Sequence, residues 1–239
     1  MNLEICIDSL ESAKNAISAG ANRLEICNSL DLDGISPSVG LVSLISKYKD
    51  IEKFVMVRPR PYDFCYSDDE FEVMKEEIRL FKNFDIDGFV LGILKPDGRI
   101  DLRRTKILVD LAKPLKVVFH RAFDYSLDGF EQIPSLIDMG LVRILTSGKK
   151  AKAYEGIDLL KKINETYGDR IEIMVGSGVD PNNIGFFYKQ AHINSFHMSA
   201  SSMVKSKMDY LKGHSLYKDI RLADKSLIER SRQAIDKLE

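Results

Sequence analysis

The stretch FHRAFD, residues 119–124, places His120, Arg121 and Asp124 directly behind the apolar run LKVV. Histidine is the side chain whose ordinary pKa lies nearest neutrality, so His120 reads as a general acid or base. Asp124 or Asp8 could orient it, and Arg121 or Arg58 could hold an anion beside it. The alternative is an interior histidine satisfied by a glutamate or serine. Arg58 and Arg60 flank Pro59, whose fixed φ stiffens the segment, and two stiffly held guanidinium groups can grip a carboxylate or phosphate. Pairing with Asp63 or Glu25 is their structural use. In VGSGVDPNNI, residues 175–184, Gly176, Ser177 and Gly178 precede an expected helix start near Asp180 and Pro181, the kind of anion cradle that barrels place after a seventh strand. Small residues there could equally serve a tight turn. His197 and Ser199, in SFHMSASS, complete this polar set.

Cys6 and Cys27 offer a softer chemistry. They fall at the same parity on consecutive strand-like runs, and neighbouring strands lie about 4.8 Å apart, so both sulfurs could face one ion. Two thiolates with the thioether of Met56 nearby suit Cu(I), which prefers sulfur. Each cysteine could equally be a small buried hydrophobe, and Cys65, in a loop among aromatics, is the weakest ligand of the three. Asp8 and Glu25 could begin an oxygen set for a harder cation. No lysine falls inward near a strand end, which argues against Schiff-base chemistry.

Elements must bring these residues together. Eight short β-branched or aromatic runs begin near residues 3, 23, 54, 88, 116, 142, 171 and 195, with amphipathic stretches between them. In one stretch Phe71, Met74, Ile78 and Phe81 share a face behind a cap at Ser67 or Asp68. Eight strand–helix repeats predict an α/β fold, a closed (β/α)8 TIM-type barrel forming a single domain over residues 1–202. Residues 203–239 read as a helical C-terminal extension packed on the barrel or at a subunit interface, with Leu227, Ile228, Ile235 and Leu238 on one face. Strand parity sends Leu3, Ile5, Ile7, Leu24 and Ile26 outward. It sends Glu4, Cys6, Arg23, Glu25, Met56, Arg58, Val118, His120, Glu172, Met174 and His197 inward. Such an ionic interior must pair with itself or reach water and ligand.

A formal net charge of -1 provides no field for nucleic acid or anionic lipid. No run approaches a membrane span, and the first residues lack the pattern of a secretory signal, so a cytoplasmic protein with reduced thiols is expected.

The blocks EICIDSLESA, ANRLEICNSL, GISPSVGL, VMVRPRPYDFCYSDDEFEVM, GFVLGILKPDGRID, VVFHRAFD, RILTSG and, more loosely, IMVGSGV and FHMSA resemble those of the CutC family, in order from residue 4 to 200. The resemblance implies a TIM barrel, a role in copper homeostasis, Cu(I) binding at Cys6 and Cys27, and a homodimer or higher homo-oligomer. Asp33, Pro61, Tyr62 and Ser177 depart from the family's glycines. Two functions therefore stand side by side: a copper-binding protein that depends on both thiols, and a barrel enzyme acting on a small phosphorylated or carboxylated metabolite through His120 and Arg58.

Overall fold

Alternation of apolar and polar residues decides which way each strand faces, and in this chain the apolar set faces out. The computed structural model describes residues 1–208, 210, 213, 214 and 218–239. Eight parallel strands close into a barrel in sequence order: β1 (Asn2–Ile7), β2 (Arg23–Ile26), β3 (Glu52–Met56), β4 (Gly88–Leu91), β5 (Lys116–Phe119), β6 (Arg143–Thr146), β7 (Glu172–Val175) and β8 (Ser195–Met198). This is the (β/α)8 TIM-type barrel that the eight repeats predict. Leu3, Ile5, Ile7, Leu24 and Ile26 are fully buried beneath the outer helices. Inside, Cys27, Phe54, Met56, Val90 and Val118 form a small second core.

Register aligns the inward polar residues. Glu4 lies level with Arg23 on one side and His197 on the other, while Cys6 lies level with Glu25. The helix Asp68–Phe81 buries Phe71, Met74, Ile78 and Phe81, as its spacing predicts. It begins with a capping box: the Ser67 hydroxyl accepts from the Glu70 N–H, and the Glu70 carboxylate accepts from the Ser67 N–H.

After β8 the chain departs from a purely helical extension. A short antiparallel pair, β9 (Ser201–Val204) and β10 (Ile220–Ala223), comes first, then the helix Lys225–Asp236. Met203, Val204 and Ile220 are exposed, so the hairpin has no one-sided apolar pattern by which the sequence could announce it. Positions 209, 211, 212 and 215–217 of the extension lie outside the described residues. Asp224 caps the last helix by accepting from the Leu227 N–H. That helix buries Ile228, Ser231 and Ile235 and packs beside the helices Leu10–Ser18 and Ile184–Ala191. It thereby completes the outer ring of helices rather than plugging the barrel floor.

Ile235 is fully buried in this contact. Ile235→Ala should destabilise the chain by about 2–5 kcal/mol in urea unfolding, and a loss below about 1 kcal/mol would mean that the last helix is not part of the barrel's core.

Candidate functional site

The most buried ionisable group among the described residues is Glu4, with essentially no exposed surface. His197 donates through Nδ1 to its Oε1 at 2.8 Å, and Arg23 Nε and Arg143 Nη1 lie 3.4 and 3.5 Å from its Oε2. Burial alone would raise the Glu4 pKa, but the His197 hydrogen bond and the two guanidinium charges outweigh it and hold the carboxyl below its ordinary value. Arg23 also donates to Glu172 (2.8 and 3.2 Å) and Ser195 (2.6 Å), and Arg143 Nε pairs with Glu172 at 2.9 Å. Burial likewise pushes Glu172 up, and the hydrogen bond and charge of Arg23, with Arg143, bring it down to about 2. This layer pairs its charges internally, as parity allows, although Nε of Arg23 and of Arg143 makes no well-directed hydrogen bond.

One step nearer the mouth, Cys6, Glu25 and His197 each bring a donor atom within 4.8 Å of the other two. Glu25 Oε2 lies 3.7 Å from His197 Nε2, and Glu25 Oε1 is buried without a hydrogen-bond partner. Burial would lower the His197 pKa, yet the facing Glu25 and Cys6, with Glu4 behind, raise it well above 6.5, while burial raises the Glu25 carboxyl above its ordinary value. Burial raises the Cys6 thiol above its usual value. Cys27 joins this cluster only through Glu25, to which its thiol donates at 3.5 Å. It is fully buried, and a Cβ on Gly34 would come 3.3 Å from its sulfur, so the loop after β2 roofs it. All three cysteines are free thiols.

Cys6, Glu25 and His197 form the floor of a cavity of about 930 Å³ at the carboxyl end of the barrel, whose walls include Arg58, Phe64, His120, Arg121 and Tyr125. Arg58 is only 3% exposed. Its Nη1 donates to the carbonyls of Leu32, Asp33 and Gly34, and its Nη2 to that of Tyr62. His120 accepts from the Ala122 N–H at Nδ1, which leaves the ring proton on Nε2, and Nε2 has no partner. Burial, then the charge of Arg58, lowers its pKa to about 3. At neutral pH His120 is therefore a neutral hydrogen-bond donor, a state unlike that of the general acid or base its sequence context suggests.

Several other expected site residues have structural work. Asp124 does not reach His120: its carboxylate accepts from Arg121, Thr146, and the main chain of Ser147 and Lys149, which pins the loop after β6. Asp8 accepts from the Leu30 N–H at 3.4 Å and stands outside the cavity wall. Arg60 is spent on Glu70, Asp63 and the Cys65 carbonyl and also stands outside it. Ser177 and Gly178 do line the cavity, with Ser199, but the Ser177 hydroxyl donates to the Ala151 carbonyl. Gly176 packs against Leu145, whose terminal methyl would have to move aside for a Cβ at that position. The grouping of Cys6 with Glu25 and His197 escaped a residue-by-residue reading. Parity placed all three inward, but only the closure of β8 against β1 brings His197 to them.

A model described as the CutC family matches residues 1–202. A CutC family protein of Vibrio vulnificus (strain CMCP6) is 41% identical over 215 residues, covering 89% of this chain and 86% of that protein. The human copper homeostasis protein cutC homolog is 41% identical over 208 residues, covering 87% and 76%. The solved structure of CutC from Streptococcus agalactiae superposes with a TM-score of 0.80 at 32% identity, over 83% of this chain and 98% of that one. Phosphoribosyl anthranilate isomerase from Thermotoga maritima, at 12% identity, a TM-score of 0.58 and 99% coverage of both chains, shares the fold alone.

The protonation state of His120 has a measurable consequence. Its pKa is about 3 in the fold against 6.5 for the free side chain, so between these values the unfolded chain binds the extra proton. The contribution to stability is full above pH 6.5 and falls as pH drops, by up to about 1.4 kcal/mol per pH unit. Urea unfolding of wild type and His120→Asn between pH 7.5 and 5 should show the wild type losing its relative stability toward acid. Parallel curves would contradict a buried neutral imidazole.

Proposed function

The chain belongs to the CutC family, and from that premise we propose that it serves copper homeostasis by binding Cu(I) on the cavity floor, with Cys6 and His197 as ligands and Cys27 alongside. The observation that carries this reading is the convergence of Cys6, Glu25 and His197, whose donor atoms all lie within 4.8 Å of one another. The donor set fits the ion: a thiolate is soft, an imidazole is intermediate, and the thioether of Met56 faces the same cavity. Glu25 is a hard ligand for Cu(I) and suits a different task, accepting the Cys27 thiol and balancing His197. We propose with it a cytoplasmic setting, where the thiols stay reduced, and assembly as a homodimer or higher homo-oligomer.

Binding must displace protons. Burial raises the Cys6 thiol pKa, and the facing Glu25, with Glu4 behind, raises that of His197 against the effect of burial, so Cu(I) competes with a proton at each ligand. Affinity should therefore climb with pH, by up to about tenfold per displaced proton per pH unit.

An anaerobic titration of the reduced protein with Cu(I) against a competing chelator tests this. Stoichiometric binding should be lost in Cys6→Ser, weakened by roughly tenfold or more in His197→Ala and Cys27→Ser, and unchanged in Cys65→Ser. Weak binding that none of these substitutions alters would refute the copper site.

A further inference from the structure

The opposite wall of the cavity has the reverse chemistry. The buried cations below it are neutralised: Arg23 meets Glu4 and Glu172, and Arg143 meets the same two carboxylates. Arg58 is as deeply buried, yet its four hydrogen bonds all go to main-chain carbonyls, and no ion pair neutralises it among the described residues. A buried guanidinium without a counter-charge is costly, and the cost falls when an anion enters beside it. Its Nε is buried without a hydrogen-bond partner among the described residues, and the Tyr66 phenol lies close enough to feel its charge.

His120 stands on the same wall. The Phe64 ring lies 4.8 Å from the imidazole centroid and 4.9 Å from the Arg58 guanidinium carbon, so one aromatic side chain holds both groups. With Nδ1 occupied by the Ala122 N–H, His120 has one uncommitted function, the donor at Nε2, which is buried and from which no protein atom accepts among the described residues, so a ligand oxygen reaches it through a small shift of the surrounding side chains. The nearby carboxylate of Asp63 is committed to Arg60 and the Cys65 N–H. Phe64, Leu94 and Tyr125 give the cavity an apolar and aromatic surface, and the charged Asp63, Lys95 and Arg121 line it as well.

We propose that this outer part of the cavity binds a small organic anion, a carboxylate or phosphate head group on an apolar or aromatic body, with the head group accepting from His120 Nε2–H beside the charge of Arg58. The head group neutralises the unpaired guanidinium, and the body packs on Phe64, Leu94 and Tyr125. About 930 Å³ is ample for a molecule of that class. The site lies across the cavity from the thiol cluster and does not rest on the copper reading.

Calorimetric titration of the full, reduced, metal-free chain with benzoate and with phenyl phosphate tests this, with inorganic phosphate reporting the head group alone and benzamide the neutral body. At least one of the two aryl anions should bind saturably and more tightly than benzamide or inorganic phosphate, and the tighter of the two identifies the head group. His120→Phe should weaken it about tenfold or more, as loss of a hydrogen bond to a charged group requires, and Arg58→Lys, which keeps the charge, should weaken it less than His120→Phe does. Cys6→Ser should leave it unchanged, so that failure of copper binding and failure of the anion site are told apart. Arg58 also holds two loops, so circular dichroism checks each variant's fold; if Arg58→Lys is disturbed, His120→Phe and His120→Gln carry the test. Absence of saturable binding of either aryl anion to the wild type would overturn the proposal. So would benzamide binding as well as benzoate, or unchanged affinity in folded His120 variants.

Discussion

A carboxylate with no exposed surface sits at the centre of this barrel, and the rest of the site is arranged around the need to keep it charged. Glu4 would be untenable alone. Arg23, Arg143 and His197 surround it, and Glu172 in turn takes up the remaining charge of the two arginines. The cost of this arrangement is a barrel interior that cannot be filled with branched aliphatics in the usual way. Its gain is orientation. With Nδ1 committed to Glu4, the imidazole of His197 has only Nε2 to present toward Glu25, and Cys6 occupies the same floor.

Above that layer the cavity divides into two chemistries. The floor is a thiol, a carboxyl group and an imidazole; one wall is a guanidinium, a neutral imidazole and aromatic rings. The two histidines illustrate how environment sets basicity in a single cavity: facing carboxyl groups raise the pKa of His197 against the effect of burial, whereas burial and then the charge of Arg58 lower that of His120. Arg58 links the halves physically. Its bonds to the carbonyls of Leu32, Asp33 and Gly34 fasten the loop that roofs Cys27, so the group positioned for an anion also governs how closely Cys27 is covered.

Much of this was legible in the residue order. Period-two alternation in LEICID and RLEIC is enough to turn Glu4, Cys6 and Glu25 inward, and eight such runs separated by amphipathic stretches are enough for a closed barrel. Which inward residues meet across the barrel was not legible, because that depends on closure: β8 pairs with β1, nearly the whole chain away in sequence. Proximity in sequence misled at FHRAFD, where Asp124 turns away from His120 to bind the loop after β6, and at RPRP, where Arg60 turns away to bind Glu70. In both cases local main-chain N–H groups or a nearby opposite charge compete for the side chain, and a linear reading has no means of ranking them.

The cavity floor is proposed to hold a soft ion by sulfur and imidazole together. X-ray absorption at the copper K-edge of the Cu(I)-loaded, reduced protein reports the ligand atoms directly. A mixed shell of sulfur at about 2.3 Å and imidazole nitrogen at about 2.0 Å, by analogy with metal–thiolate and metal–imidazole bonds, is the predicted result. A shell of nitrogen and oxygen alone, with no sulfur, would contradict it.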